Sequence, residues 1–187
     1  MSHDDKALLR KRAYAARKQA HDAGGPATQH ATQHVLAAIG AAAGRTVAGY
    51  MPIRTEIDPL PAMTALHEAG SQICVPVIAG NRLPLEFRAW APGCVVVEGP
   101  FGAKVPKHGD WVTPEVLIVP LVGFDAARNR LGYGGGFYDR TLARLRAAGP
   151  VRAIGLAYAA QQLPPLPVEP TDERLDAIVT ERGVIRS

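Results

Sequence analysis

The sequence predicts an α/β protein, a single three-layer α/β/α domain over residues 1–187 with a mainly parallel sheet. Three observations point there. Apolar runs of strand length alternate with helix-patterned stretches through most of the chain, the pattern of strand–helix units over a parallel sheet. The most apolar stretch, EVLIVPLVGF at 115–124, reads as a central strand. At 187 residues the chain suits one domain, and the proline-rich stretch at 159–170 is followed by too little to form another.

The elements follow in order. Residues 4–22 carry alanine, leucine, lysine and arginine behind Asp4 or Asp5 as a cap, so they predict a helix that Gly24-Gly25-Pro26 stops. Residues 27–43 predict a second, alanine-rich helix closed by Gly44. Its repeat ATQHATQH puts His30 and His34 at i and i+4, a spacing zinc can use. No HExxH glutamate or third ligand accompanies them, so they read as an exposed polar stripe. RTVAGYMP predicts a buried strand stopped by Pro52, and residues 59–69 a short helix with proline at its start and Gly70 at its end. QICVPVI at 72–78 predicts a strand. Leu83, Leu85, Phe87 and Ala89 alternate as a half-buried strand should, and VVVE at 95–98 predicts another. Residues 99–114 read as a long loop. Residues 137–148 predict an amphipathic helix with Phe137, Leu142 and Leu145 inward and Arg140, Arg144 and Arg146 outward, stopped by Gly149-Pro150. VRAIGLAY predicts a strand, 159–170 a loop, and AIVT and VIR two closing strands around Arg182-Gly183.

Charge and cysteine exclude several classes. The net charge of +4 is concentrated in residues 1–20, where Lys6, Arg10, Lys11, Arg12, Arg17 and Lys18 face only Asp4 and Asp5. The remainder is balanced and poor in aromatics, which argues against a nucleic-acid-binding face. No apolar run approaches the roughly 18 residues of a membrane span, and the first thirty residues lack the apolar core of a secretory signal. Cys74 and Cys94 lie in apolar surroundings, form no CxxC and read as small buried hydrophobes. These features predict a cytoplasmic protein with no membrane or nucleic-acid partner.

The chemistry concentrates in GFDAARNRLGYGGGFYDR, residues 123–140. Four of the five residues from Gly132 to Gly136 are glycine, and the segment runs from the central strand into a helix. Ligands of open α/β sheets bind at that place. Glycines there let backbone N–H groups converge on an anion, and the helix N-terminus adds a favourable dipole, so the loop predicts a phosphate site. Neither GxGxxG nor GxxxxGK[ST] is satisfied, so a dinucleotide fold of the usual kind and a P-loop are both unsupported. Asp139 can be an ordinary first-turn acid or can hold magnesium on nucleotide phosphates, which needs one or two carboxylates. Glu169, Asp172, Glu173 and Asp176 form a pool from which a second could come.

RLGYGGGFYDR resembles the signature of the 5-formyltetrahydrofolate cyclo-ligase family. The likeness extends to KALLR at 6–10, YMPIRTEIDPLP at 50–61, LEFRAWAPG at 85–93, GPFGAKVP at 99–106, VLIVPLVGFD at 116–125, and the proline-rich turn followed by Asp172 and Asp176. It implies an ATP- and magnesium-dependent conversion of 5-formyltetrahydrofolate to 5,10-methenyltetrahydrofolate, ADP and phosphate, on a fold like that of sugar-phosphate isomerases and CoA transferases. Nothing in the sequence suggests an obligate partner surface, so a monomer is expected. Residue by residue, Lys6 and Arg10 match a nucleotide-contacting pair. Arg130, Leu131, Gly132, Tyr133, Gly134, Gly135, Gly136, Phe137 and Tyr138 match the ATP loop, with Tyr133 through Phe137 also approached by the folate. Asp139 and Asp172 match magnesium ligands, while Asp176 reads as structural. Met51 and Glu56 match folate contacts, and Trp90 is either a wall for the pterin or aminobenzoyl ring or a buried core residue. Some family members carry basic residues inside the loop, where this chain has Tyr133 and Gly135. Phosphate charge then falls to Lys6, Arg10, Arg130, magnesium and backbone N–H groups, and Lys11, Arg12, Arg17 and Lys18 are expected to be solvated. His108 reads as a solvated loop residue.

Two other classes fit parts of the pattern. An isomerase or CoA-transferase-like enzyme could use the same fold, with a catalytic carboxylate and no ATP. A non-catalytic module could store folate or hold RNA on the basic first helix, which predicts a steep salt dependence.

Overall fold

The computed structural model describes the backbone of residues 3–186 and the side chains of residues 5–186. Helix α1 (His3–Ala23) begins early enough that Asp4 and Asp5 fall inside its first turn rather than at its cap. The side chain of Asp4 lies outside the described residues. Helix α2 (Ala27–Ile39) ends at Gly40, four residues before the predicted Gly44, because Gly40 adopts a positive φ of 71° and breaks the helical path.

Strand β1 (Thr46–Ala48) is followed by α3 (Leu60–Glu68), β2 (Gln72–Ile78) and β3 (Leu85–Trp90). A hairpin of β4 (Val96–Glu98) and β5 (Lys104–Pro106) comes next, then β6 (Val116–Pro120) and a small hairpin of β7 (Gly123–Phe124) and β8 (Arg130–Leu131). Helix α4 (Phe137–Ala148), β9 (Arg152–Leu156), β10 (Ala177–Thr180) and β11 (Gly183–Ile185) complete the chain.

The main sheet has the order β11-β10-β9-β6-β1-β2-β3. Its five inner strands are parallel, and its two edge strands run antiparallel to their neighbours. Helices α2 and α3 cover one face over Val35, Ile39, Met63 and Leu66, and α4 covers the other with Leu142 and Leu145. The predicted three-layer arrangement with a mainly parallel sheet is therefore present. The buried Thr141 of α4 is satisfied: its hydroxyl accepts from the Leu85 N–H at 2.8 Å and donates to the Phe137 carbonyl at 2.6 Å.

Two predicted boundaries are wrong for physical reasons. The run at 115–124 is not one strand. Its ladder ends at Pro120, and Gly123–Phe124 turns away to pair with Arg130–Leu131 around a turn whose Asp125 carboxylate binds the Asn129 N–H and amide. The predicted loop at 99–114 contains β5, whose pairing with β4 uses backbone groups and leaves little hydrophobic periodicity to detect. Pro76 lies inside β2 without cost to the ladder, because pairing with β1 stops at Cys74.

The strand order fixes where ligands can sit. From β1 the chain moves outward to β2 and β3. It then returns beyond β1 to β6 and moves the other way. The crevice outside the carboxyl ends of β1 and β6 is therefore the topological switch point.

Candidate active site

Four segments meet at that switch point around a cleft of about 1400 Å³. The segment leaving β1 supplies the first wall. The Tyr50 hydroxyl donates to the Ile57 carbonyl at 2.6 Å, which closes residues 50–57 into a fixed loop. Within it Glu56 is 6% exposed, and its Oε2 accepts from the Ile53 N–H at 2.9 Å. Burial pushes the Glu56 pKa above the usual carboxylate value, and the Tyr133 hydroxyl, the Ile53 N–H and Arg17 each oppose that shift without cancelling it. Half-buried Met51 lines the cleft beside it.

The glycine-rich segment supplies the second wall. Gly134 and Gly136 hold φ values of 103° and 67°, so both positions favour glycine. Gly136 is the N-cap of α4, and the loop feeds directly into that helix N-terminus, with Asp139 in its first turn. No residue from Gly132 to Gly136 is basic, yet four guanidinium groups surround them. Arg10 of α1 donates from Nε to the Gly132 carbonyl at 2.9 Å, and Arg140 of α4 donates to the Gly135 carbonyl at 2.7 Å. Arg130 lies against the Tyr138 ring and pairs with Asp139 at 3.2 Å. Arg17 donates to the Tyr133 hydroxyl at 2.6 Å. Arg10, Arg130 and Arg140 thus line the cleft with the basic charge absent from the loop, while Arg17 lies behind Tyr133.

The chain's last turn before β10 forms the third wall. Lys6 of α1 pairs with Glu169 across the cleft mouth. The Glu173 N–H donates to Asp139 Oδ1 at 3.1 Å, and Asp172 Oδ2 accepts from the Glu169 N–H at 2.9 Å. Asp139 and Asp172 line the same cleft. The Glu173 N–H and Arg130 both engage Asp139 through Oδ1. Carboxylate oxygens suit a hard cation, and magnesium held against phosphates needs one or two of them, so this donor set fits the ion. Among the described residues no group of three or more histidine, cysteine, aspartate or glutamate side chains forms a metal cage.

The fourth wall is the β4–β5 hairpin. Phe101 at its tip takes a φ of 58° and is 81% exposed, with its ring centroid 6.5 Å from that of Phe137. Phe101 thus adds an apolar ring to the cleft lining beside Phe137.

Nearly all the residues singled out from sequence come together here: Lys6, Arg10, Met51, Glu56, Arg130 through Tyr138, Asp139 and Asp172 all line the cleft. Trp90 does not line it. It is 9% exposed and packs into the core under α2 and α3, so the structure gives it a packing role. Asp176 accepts the Ala153 N–H at 2.7 Å and pairs with Arg146 at 3.2 Å, a structural role. His108 is exposed, and His34 uses Nδ1 on the Thr180 carbonyl, which removes it from a pair with exposed His30. Cys74 is buried with its thiol pushed up to about 12, so it is inert as a nucleophile, and Cys94 is half-buried.

Arg17 corrects the expectation of a solvated side chain. It is 1% exposed, donates from Nε to Thr55 Oγ1 at 3.0 Å, and lies against the rings of Tyr14 and Tyr133. The signal was in the helix phase: positions 6, 10, 13 and 17 share one face, and Ala13 on it is fully buried. Arg140, Tyr50 and Phe101 were also missed. They contribute through tertiary contacts that no local pattern encodes.

Comparison with known proteins gives a consistent result. Residues 2–181 match the sequence model of the 5-formyltetrahydrofolate cyclo-ligase family. The chain is 37% identical over 148 residues to the 5-formyltetrahydrofolate cyclo-ligase of Escherichia coli, covering 74% of this chain and 79% of that one. It is 33% identical over 153 residues to the 5-formyltetrahydrofolate cyclo-ligase of Mycolicibacterium smegmatis, covering 76% and 77%. The solved structure of Aquifex aeolicus 5,10-methenyltetrahydrofolate synthetase superimposes with a TM-score of 0.77 at 29% identity, covering 97% of this chain and 92% of that one.

Proposed function

The chain belongs to the 5-formyltetrahydrofolate cyclo-ligase family, and on that premise we propose that it converts 5-formyltetrahydrofolate to 5,10-methenyltetrahydrofolate with ATP as co-substrate and magnesium as the bound cation. The observation that carries this reading is the single cleft. A buried carboxylate suited to a heterocycle's N–H groups and a glycine loop suited to phosphates open into the same space, so two substrates can meet there.

The chemistry explains why ATP is needed. Ring closure requires N10 to attack the formyl carbon and expel the formyl oxygen, a poor leaving group. Transfer of the γ-phosphoryl group to that oxygen gives an iminium phosphate. Attack by N10 forms the new C–N bond, and the C–O bond then breaks with phosphate as the leaving group. No protein nucleophile is required, so the chain's work is positioning and charge stabilisation.

In this reading the N–H groups around Gly134 to Gly136 and the α4 N-terminus hold phosphates, with Lys6, Arg10, Arg130 and Arg140 placing positive charge beside them. Lys6 now pairs with Glu169 and would exchange that partner for phosphate. Asp139 and Asp172 would hold magnesium, which neutralises phosphate charge when bound. Glu56 would accept hydrogen bonds from the pterin amino and ring N–H groups, with Met51, Phe101 and Phe137 as apolar surface for the rings. We further read the chain as one domain acting as a cytoplasmic monomer. Among the described residues no helix is long and apolar enough to cross a membrane.

Isothermal titration with 5-formyltetrahydrofolate, ATP–magnesium and both together tests this reading. Binding of each ligand, abolished for the nucleotide by Asp139→Asn with Asp172→Asn and for the folate by Glu56→Ala, is the expected result. Binding of neither ligand by folded protein would overturn it.

A further inference from the structure

Arg17 is a buried cation whose contacts lead through Tyr133 to the Glu56 carboxylate. Its guanidinium donates to Thr55 Oγ1 and to the Tyr133 hydroxyl, and that hydroxyl donates in turn to Glu56 Oε1. With Glu56 ionised, the directions are forced. Arginine has only donors, so an N–H of Arg17 takes a lone pair of the phenol oxygen and the phenolic proton must point elsewhere. It points to Glu56. A carboxylate offers roughly four lone-pair sites. Tyr133 and the Ile53 N–H take one on each oxygen, which leaves one on each oxygen for a ligand presenting two parallel N–H groups.

We propose that Arg17 is a positioning residue of the folate subsite: acting through Tyr133, it holds the Glu56 carboxylate in its ionised, acceptor-only form and fixes which lone pairs face the ligand. The inference rests on the folate reading above. It also accounts for the tyrosine within the glycine loop. At that place Tyr133 links the phosphate-binding segment to the folate carboxylate, and the positive charge stands behind it on α1.

The groups facing Glu56 from the surrounding elements are few. Arg17 and Tyr14 of α1, Tyr50 just after β1, and Tyr133 and Tyr138 of the loop and α4 act on it directly, and behind them stand Arg10 and Arg54 beside Tyr14, Asp58 beside Tyr50 and Arg130 beside Tyr138. The four tyrosines are all pushed above the usual phenol value, chiefly by burial, and stay neutral at physiological pH. Asp58 is engaged at the start of α3, where its Oδ1 accepts the Leu60 N–H at 2.9 Å. Glu56 is therefore the acid whose protonation governs the subsite, and Arg17 is the cation bonded to the phenol that serves it.

The test is the dissociation constant for 5-formyltetrahydrofolate, and separately for ATP–magnesium, from pH 5 to 8. The proteins are wild type, Arg17→Met, Arg17→Lys, Tyr133→Phe and the Met/Phe double variant, with melting temperatures alongside. Losing a charge-assisted link of this kind weakens folate binding about tenfold. The expected result for Arg17→Met is that loss at neutral pH, ATP binding within about twofold, and an acid limb of folate binding moved to higher pH. Arg17→Lys recovers part of the affinity, and Arg17→Met adds little once Tyr133→Phe is present, because the two act in series. Unchanged folate binding and an unmoved acid limb in Arg17→Met would overturn the inference. So would equal losses for both ligands with a lowered melting temperature, which marks a merely structural arginine. If Arg17→Met does not fold, Tyr133→Phe decides: full folate affinity overturns the inference, and a selective folate loss supports it. Wild-type protein that binds ATP but no folate would instead overturn the folate reading itself, and the inference with it.

Discussion

The two faces of α1 carry the same residue types and do opposite things. On one face Lys6, Arg10 and Arg17 reach, in turn, the acidic turn before β10, the glycine loop and the tyrosine that serves Glu56. On the other, Lys11, Arg12 and Lys18 are exposed, and Lys18 pairs only with Asp22 one turn on. A count of basic residues in the helix therefore says little about function. What separates them is phase, since residues at i, i+4 and i+11 share the face that Ala13 buries. One row of the basic N-terminus reaches the walls of the cleft, and the other faces solvent.

The comparison can be broken most sharply at Arg10. Arg10→Ala removes a guanidinium that holds the Gly132 carbonyl and faces Gly134. We expect kcat/KM for the ATP-dependent reaction to fall about a hundredfold or more, the size of a lost charge-assisted contact to phosphate together with a loosened loop. Wild-type kcat/KM in that variant would show that the inner row does not serve the nucleotide. Asp139→Asn should lose a similar amount and shift the magnesium requirement upward, because it removes a candidate ligand and the partner of Arg130.

A second effect is acid-sensitive. The Glu56 pKa is raised by burial, and only its ionised form accepts two N–H groups. Folate affinity should thus be full above that raised value and decline as pH falls through it, at a pH above the usual carboxylate range. A titration of folate binding against pH checks this, and Glu56→Gln should flatten the profile while weakening binding at neutral pH. The smallest effect belongs to the outer row. Replacing Lys11, Arg12 and Lys18 together by glutamine should leave kcat/KM within about twofold, as expected for exposed charges with little local field. A large loss would erase the distinction between the faces.

Much of this was legible in the sequence because it is written locally. The alternation of strand and helix patterns fixed the layers, the α4 amphipathic pattern gave residues 137–148 as observed, and glycine at 134 and 136 marked positions of positive φ. The residues chosen from motifs nearly all line one cleft. What was missed depends on contacts between distant segments. Arg17 meets Tyr133 only after α1 packs across the strand ends, and Trp90 read equally as a ring wall or a core residue because an indole's hydrophobicity does not reveal which face of the sheet it occupies. Strand β7 hid inside an apolar run, since hydrophobicity reports burial but not where a ladder ends at Pro120.

The central claim is that one cleft joins ATP-dependent phosphoryl transfer to ring closure on the folate. Its most direct test is the absorbance of purified protein mixed with 5-formyltetrahydrofolate, ATP and magnesium, followed for the methenyl chromophore, with ATP-free and magnesium-free controls. The account predicts growth of that chromophore only in the complete mixture. No growth from folded protein that binds both substrates would contradict it.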